Sequence, residues 1–203
     1  SEDRGQHWQT ISPDLTGKSR DASACQGDVA VADARECGFG AIFTISPSPH
    51  AADEVWVGTD SGLVQRSRDG GKSWQNLTPP TLPEFATVSR IELSTLDRQI
   101  AYVAVDQHRN NIFAPLVYKT RDAGKSWTDI SAGLPAGEIT SVIRADSRQP
   151  GLLFVGTDRG VQVSLDDGAH WQALSPNLPV AWVRDMRVVG DDLAIATQGR
   201  ALW

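Results

Sequence analysis

The chain carries one methionine, two cysteines, two tyrosines and only four lysines, and it has no apolar run longer than a β-strand. Its longest apolar stretches, such as Gly151-Leu-Leu-Phe-Val-Gly156, fall far short of a membrane span, so none is expected. Arginine outnumbers lysine 15 to 4, yet the net charge is −6 and no basic stripe exists. That balance argues against a nucleic-acid partner. Convincing helical periodicity is absent, which points to an all-β fold. Cys25 and Cys37 lie twelve residues apart in one loop-like segment. A disulfide clamping that loop in an exported protein is the first reading, with two free thiols in a cytosolic protein as the alternative. Zinc is not expected, because no second Cys or His pair lies at ligand spacing. No other metal and no cofactor is called for. With 40% hydrophobic and 22% charged residues, a buried core and a water-compatible surface are both within reach.

What the chain does contain is repetition. Four copies of Ser/Thr-x-Asp-x-Gly-x-x-Trp occur: Ser1-Glu-Asp3-Arg-Gly5-Gln-His-Trp8, Ser67-Arg-Asp69-Gly-Gly71-Lys-Ser-Trp74, Thr120-Arg-Asp122-Ala-Gly124-Lys-Ser-Trp127 and Ser164-Leu-Asp166-Asp-Gly168-Ala-His-Trp171. Chance would supply roughly one hundredth of a match, so the copies mark a structural repeat. The Asp side chain can accept backbone N–H bonds and pin a tight turn, with the Ser or Thr hydroxyl adding a second local bond. The fixed Gly predicts a positive φ. The Trp opens the returning strand and should be buried against a neighbour, because a lone hairpin is marginal. These sixteen positions are therefore read as structural.

A longer unit surrounds each box. A β-rich run ending in a turn stands upstream at Glu54–Leu63, Ile100–Asp106 and Leu153–Val161, and the tail repeats it at Leu193–Gly199. Another strand precedes each: Ala41–Ser46, Val88–Leu93, Ile139–Ala145 and Val183–Val189. The count is four strands per unit, with units at about 40–78, 86–131 and 138–175. Residues 1–12 and 181–203 supply a partial or split fourth. Four antiparallel strands in about 45 residues describe a β-propeller blade, and a sandwich is a distant second.

The boxes resemble the Asp-box, or bacterial neuraminidase, repeat of sialidases, xyloglucan-cleaving glycosidases and sortilin-type propellers. From about Gly40 to Trp203 the chain is most similar to bacterial sortilin-type repeat proteins, often labelled glycosyl hydrolases. The phrases that carry the likeness are Gly62–Trp74, Ala101–Asp106, Tyr118–Asp122, Val155–Asp158 and Ala196-Thr-Gln-Gly-Arg200. The resemblance implies a propeller with the boxes between third and fourth strands, away from a functional mouth. It also implies a bacterial, exported protein, extracellular or periplasmic. Members are usually longer, so the chain resembles about half of one propeller. A starting point inside a box fits an excised or processed piece. The split fourth unit also permits a closed four-bladed ring, although a partial propeller is preferred. Such a piece would meet the remaining blades of a parent or self-associate.

The mouth implied by the resemblance directs attention to two oversized loops, Pro13–Phe39 and Asp106–Pro115, which account for box spacings of 66, 53 and 44 residues. A glycoside hydrolase needs two carboxylates. The candidates are Glu36, Asp60, Asp106 and Asp158, of which Asp60 and Asp158 recur in a turn and are better read as turn caps. Glu36 and Asp106 remain as weak catalytic candidates. A sialidase is a poor fit, since its Phe/Tyr-Arg-Ile-Pro motif is missing and only two Tyr exist. Of the four His, His7 and His170 lie in boxes and His50 in a turn, which leaves His108. Asp106, His108, Arg109, Phe113 and Arg200 are the candidate binding residues. The leading expectation is a binding or scaffold module for a protein, peptide or glycan at the loop-bearing face. The alternative is a xyloglucanase-like glycoside hydrolase or a fragment of one, with enzyme activity the less favoured outcome.

Overall fold

In the computed structural model, residues 3–16, 40–174 and 177–203 are described. Ser1, Glu36, Cys25 and Cys37 lie outside them, and with them the proposed disulfide. The described residues form all-β structure in three four-stranded antiparallel sheets and one two-stranded sheet. The first sheet contains β1 (Ile42–Pro47), β2 (Val55–Thr59), β3 (Val64–Ser67) and β4 (Gln75–Asn76). The second contains β5 (Thr87–Leu93), β6 (Ala101–Asp106), β7 (Leu116–Thr120) and β8 (Thr128–Asp129). The third contains β9 (Thr140–Ala145), β10 (Leu153–Thr157), β11 (Val161–Ser164) and β12 (Gln172–Leu174). The last has β13 (Val183–Val189) and β14 (Asp192–Thr197), with Leu202 bridging to Ala196 as the start of a third strand. Strand order follows chain order in every sheet, and the complete boxes join third to fourth strands. These are propeller-type blades.

Side chains alternate across each sheet, so every blade offers one face to the blade before it and one to the blade after it. Trp56 and Val64 pack with Ile91, Val103 and Val105 of the next blade. Tyr102, Ala104 and Val117 repeat this against Ile143, Leu153 and Val155. Phe154, Val161 and Val163 repeat it against Val183, Met186 and Ile195. Each buried side chain of this size contributes about 1.5–3 kcal/mol. The second strand carries a small residue two places after its aromatic. At Gly58 and Gly156 an added Cβ would lie 2.4 and 2.6 Å from Val88 and Val183 of the following blade.

The boxes form hydrogen-bonded turns. The Ser67 hydroxyl donates to Asp69 at 2.9 Å and accepts the Gly71 N–H at 2.8 Å, while Asp69 accepts the Ser73 N–H at 2.9 Å. Thr120–Asp122–Ser126 and Ser164–Asp166–His170 repeat the set. Side-chain hydrogen bonds from Ser73, Ser126 and His170, then backbone N–H bonds, lower the pKa of Asp69, Asp122 and Asp166 to about 2. The fixed Gly has φ of +94°, +86° and +90°, as the motif predicts. Gly124 and Gly168 also seat Leu77 and Ile130 of the preceding blade, and Gly71 seats Ile11. The indoles of Trp127 and Trp171 donate to the carbonyls of Leu77 and Ile130 at 2.7 Å, so each of these boxes clasps its neighbour.

Two expectations need correction here. The box Trp residues are only half-buried, and Trp8 is 80% exposed. Residues 8–12, expected as an outer strand, carry no strand, and no sheet among the described residues includes them.

Candidate functional site

The four first strands share one irregularity. Register shifts fall at Phe43, Ser89, Ser141 and Arg184, one bulge per blade at the equivalent position. A bulge re-aims its side chain and often lies beside a functional site. All four bulged residues line a single cavity of about 300 Å³, together with Thr44, Ile45, Arg90 and Asp106. This cavity lies at the end of the sheets where the insertion after β6 begins, and it is the candidate mouth.

The insertion after β6 starts at its edge, where Asp106 lines it. Asp106 accepts the His108 N–H at 2.9 Å and faces the His108 ring Nδ1 at 2.7 Å, which directs Nδ1–H to the carboxylate and leaves Nε2 as the acceptor of the neutral ring. His108 meets Trp182 of the last blade edge-on, ring centroids 6.2 Å apart. Arg109 donates to Asp60 of the first blade at 3.1 Å, and Asn110 donates to the Glu84 carbonyl at 2.9 Å. A single 3-10 turn, His108–Asn110, therefore ties the second blade to the first and contacts the fourth. Phe113, in the same insertion, is 56% exposed.

The other candidates are placed as follows. Asp60 accepts the Ala41 N–H at 2.7 Å and Asp158 the Ile139 N–H at 2.9 Å, so each carboxylate anchors the start of its own blade. Arg200 is exposed on the turn before Leu202, its carbonyl accepting the Trp203 indole N–H at 2.7 Å, and it does not line the mouth. Among the described residues no group of three His, Cys, Asp or Glu could hold a metal ion.

Sequence reasoning missed Trp182, Arg184 and the channel below the mouth. Arg184 stacks on Trp182 with its guanidinium carbon 3.6 Å from the ring centroid, and it donates to Gln198 at 2.8 Å. Past Ile45 and Arg90, which line both spaces, a groove of about 690 Å³ continues between the first strands. Arg90 and Arg144 alternate there with Glu92 and Asp185. Arg144 contacts Glu92 at 2.8 Å and Asp185 at 2.7 Å, and Arg90 contacts Asp185 at 2.7 Å. Burial pushes the Glu92 carboxyl up against the pull of Arg144. Burial also opposes charge on Asp185, but Arg144 and Arg90 hold its carboxyl below the ordinary range. The sequence signal for these residues lay in the aligned first strands, where polar and charged side chains occupy positions that a packed strand would make apolar.

No protein-family model and no curated protein matches the chain. Among solved structures it is similar to the GH74 xyloglucanase from Xanthomonas campestris, with TM-score 0.61 and 15% identity over 80% of this chain and 29% of the enzyme. It is similar to YCF48 bound to D1 peptide, with TM-score 0.56 and 16% identity over 79% of this chain and 51% of that one. The extracellular domain of a one-component system from B. thetaiotaomicron gives TM-score 0.57 and 15% identity over 77% and 20%. The likeness is one of fold, the β-propeller, and the chain spans from 20% to 51% of the length of these proteins. Among the described residues no helix is long and apolar enough to cross a membrane.

Proposed function

We propose that the chain is an exported Asp-box propeller segment of the sortilin-like kind, extracellular or periplasmic, that binds a peptide or protein ligand at its loop-bearing face. The observation that carries this reading is the convergence of four bulged side chains, one from each blade, on a cavity that Asp106, at the start of the insertion, also lines. Ser89 and Ser141 each also hydrogen-bond to the following blade, at the Thr140 carbonyl and the Trp182 indole, while the apolar inter-blade cores lie elsewhere. Arg184, stacked on Trp182, and Asp106, paired with His108, give the mouth a cation and an acceptor, and Phe43 and Ile45 give it apolar area, the mixture that recognises a peptide. A solved propeller of this fold holds a peptide, and another is an extracellular domain, which supports both parts of the reading.

Xyloglucanase-like hydrolysis is the second reading, favoured by the likeness to GH74 enzymes. Such an enzyme uses two carboxylates at a defined separation. Among the described residues, Glu92 and Asp185 are tied to Arg144 and Arg90, Asp60 and Asp158 cap backbone N–H groups, and Asp106 holds His108.

Peptide and glycan arrays probed with the wild-type chain and with His108→Ala and Arg184→Ala test the two readings. Binding of peptides that both variants weaken about tenfold or more supports the binding module. Release of reducing ends from xyloglucan, lost in Asp106→Asn, would replace it with the hydrolase.

A further inference from the structure

The blade junctions follow one rule with one exception. Opposite Ser46, Glu92 and Arg144 in the first strands, the second strands carry Trp56, Tyr102 and Phe154. Each aromatic is buried at a junction with Ile91, Ile143 or Met186 of the next blade. In the last blade the residue in that register, opposite Arg187, is Ala194. The receiving side of a junction is nevertheless present on the first blade. Ile45 stands where Ile91, Ile143 and Met186 stand, yet it is 60% exposed, whereas those three are 2% exposed or less. Ile45, Ala194, Ala196 and Leu202 line the same 690 Å³ groove, so the faces of the first and last blades meet across it. Where Ile45 faces Ala194 across this groove, the aromatic side chain that packs at each of the other three junctions is missing.

We infer that this groove is a docking slot for an extended peptide segment carrying an aromatic side chain next to an acidic one. The inference rests on the reading of the chain as a binding module and names a ligand class and a place next to the mouth. Aromatic shape is argued from Trp56, Tyr102 and Phe154, whose site the repeat reproduces without its occupant. The acidic neighbour is argued from charge. Arg90, Arg144, Glu92 and Asp185 neutralise one another in the groove floor. Arg187, the cross-strand partner of Ala194, also lines the groove, is exposed, and has no ion pair among the described residues. An aromatic ring against Ile45 and Ala194 therefore brings a neighbouring carboxylate to a guanidinium with unused donors.

The test is isothermal titration of the intact chain with the capped hexapeptide Gly-Ser-Trp-Glu-Ser-Gly and its Trp→Ala and Glu→Gln relatives. The parent peptide should bind, the Trp→Ala peptide should bind at least tenfold more weakly, and the Glu→Gln peptide about tenfold more weakly. In the protein, Ala194→Trp fills the slot and should abolish binding. Arg187→Gln, an exposed substitution that leaves the packing intact, should lower affinity for the parent about tenfold and leave the Glu→Gln peptide unaffected. Equal binding of the Trp and Ala peptides, or no binding at millimolar concentration, would overturn the slot. A chain that dimerises in sedimentation, loses the dimer in Ala194→Trp and ignores the peptide gives the slot to a second copy and also overturns the proposal. If peptides bind and respond to His108→Ala but not to Ala194→Trp or Arg187→Gln, the slot falls and the mouth reading stands.

Discussion

Replacing Thr44 with Val should stabilise the chain. The Thr44 hydroxyl oxygen is buried and has no hydrogen-bond partner among the described residues. Thr44 pairs with Gly58 in the ladder, and in the third blade Val142 pairs with Gly156 in the same register. Its Cγ2 would lie 2.7 Å from a Cβ built on Gly58, and Val142 Cγ1 is 2.6 Å from one built on Gly156, so Val fits this site in shape as it does in the third blade. An unpaired buried hydroxyl costs about 1–3 kcal/mol, and a methyl group of the same shape removes that cost. We expect a gain of about 1–2 kcal/mol, which for a chain of this size raises Tm by about 2–8 °C. Thermal and urea unfolding measure it, and Val142→Thr serves as the reciprocal variant, with a loss of similar size. An unchanged or lowered Tm in Thr44→Val would show that the hydroxyl is satisfied, and the register argument would fail with it.

Gly168→Ala should cost about 2–4 kcal/mol, because φ is +90° and the new Cβ would lie 2.7 Å from Ile130 Cδ1; a urea midpoint within error of wild type would contradict the clasp between blades. Arg144→Met leaves Glu92 and Asp185 without their shared partner and should lose about 2–4 kcal/mol, the low end reflecting a half-exposed Asp185 that keeps Arg90. The box carboxylates titrate below their unfolded value, so their stabilisation is complete above about pH 4 and is lost as pH falls through about 2. Asp122→Asn should accordingly lower Tm at neutral pH and flatten part of the acid limb between pH 4 and 2. An acid limb of unchanged slope would mean that these turns do not set the acid response.

Much of the blade plan is local and was legible for that reason. Alternating β-branched runs, the Asp and Gly of each box, and the Pro-rich turns specify strands and hairpins through contacts within a few residues. The unequal box spacing exposed the insertion carrying Asp106 and His108, which the fold brings to 2.7 Å. The bulges at Phe43, Ser89, Ser141 and Arg184 were not legible, because a bulge is a property of two paired strands and leaves no mark on one of them. Ala194 did leave a mark. Aligning Val-Trp56-Val-Gly-Thr, Ala-Tyr102-Val-Ala-Val, Leu-Phe154-Val-Gly-Thr and Leu-Ala194-Ile-Ala-Thr shows an aromatic missing from the fourth copy. Its meaning required the register that sets it across a groove from Ile45.

By itself the sequence determined the repeat, the four-strand unit, the box turns with their positive-φ glycines, and the loop in which a mouth residue should be sought. These follow from short-range geometry that each segment carries alone. Tertiary structure decided which faces are covered and which stay open. Ile91, Ile143 and Met186 are buried and the equivalent Ile45 is not, although all four are apolar residues in matching strands. Burial depends on what the neighbouring blade supplies, and at the junction facing Ile45 that blade supplies an alanine.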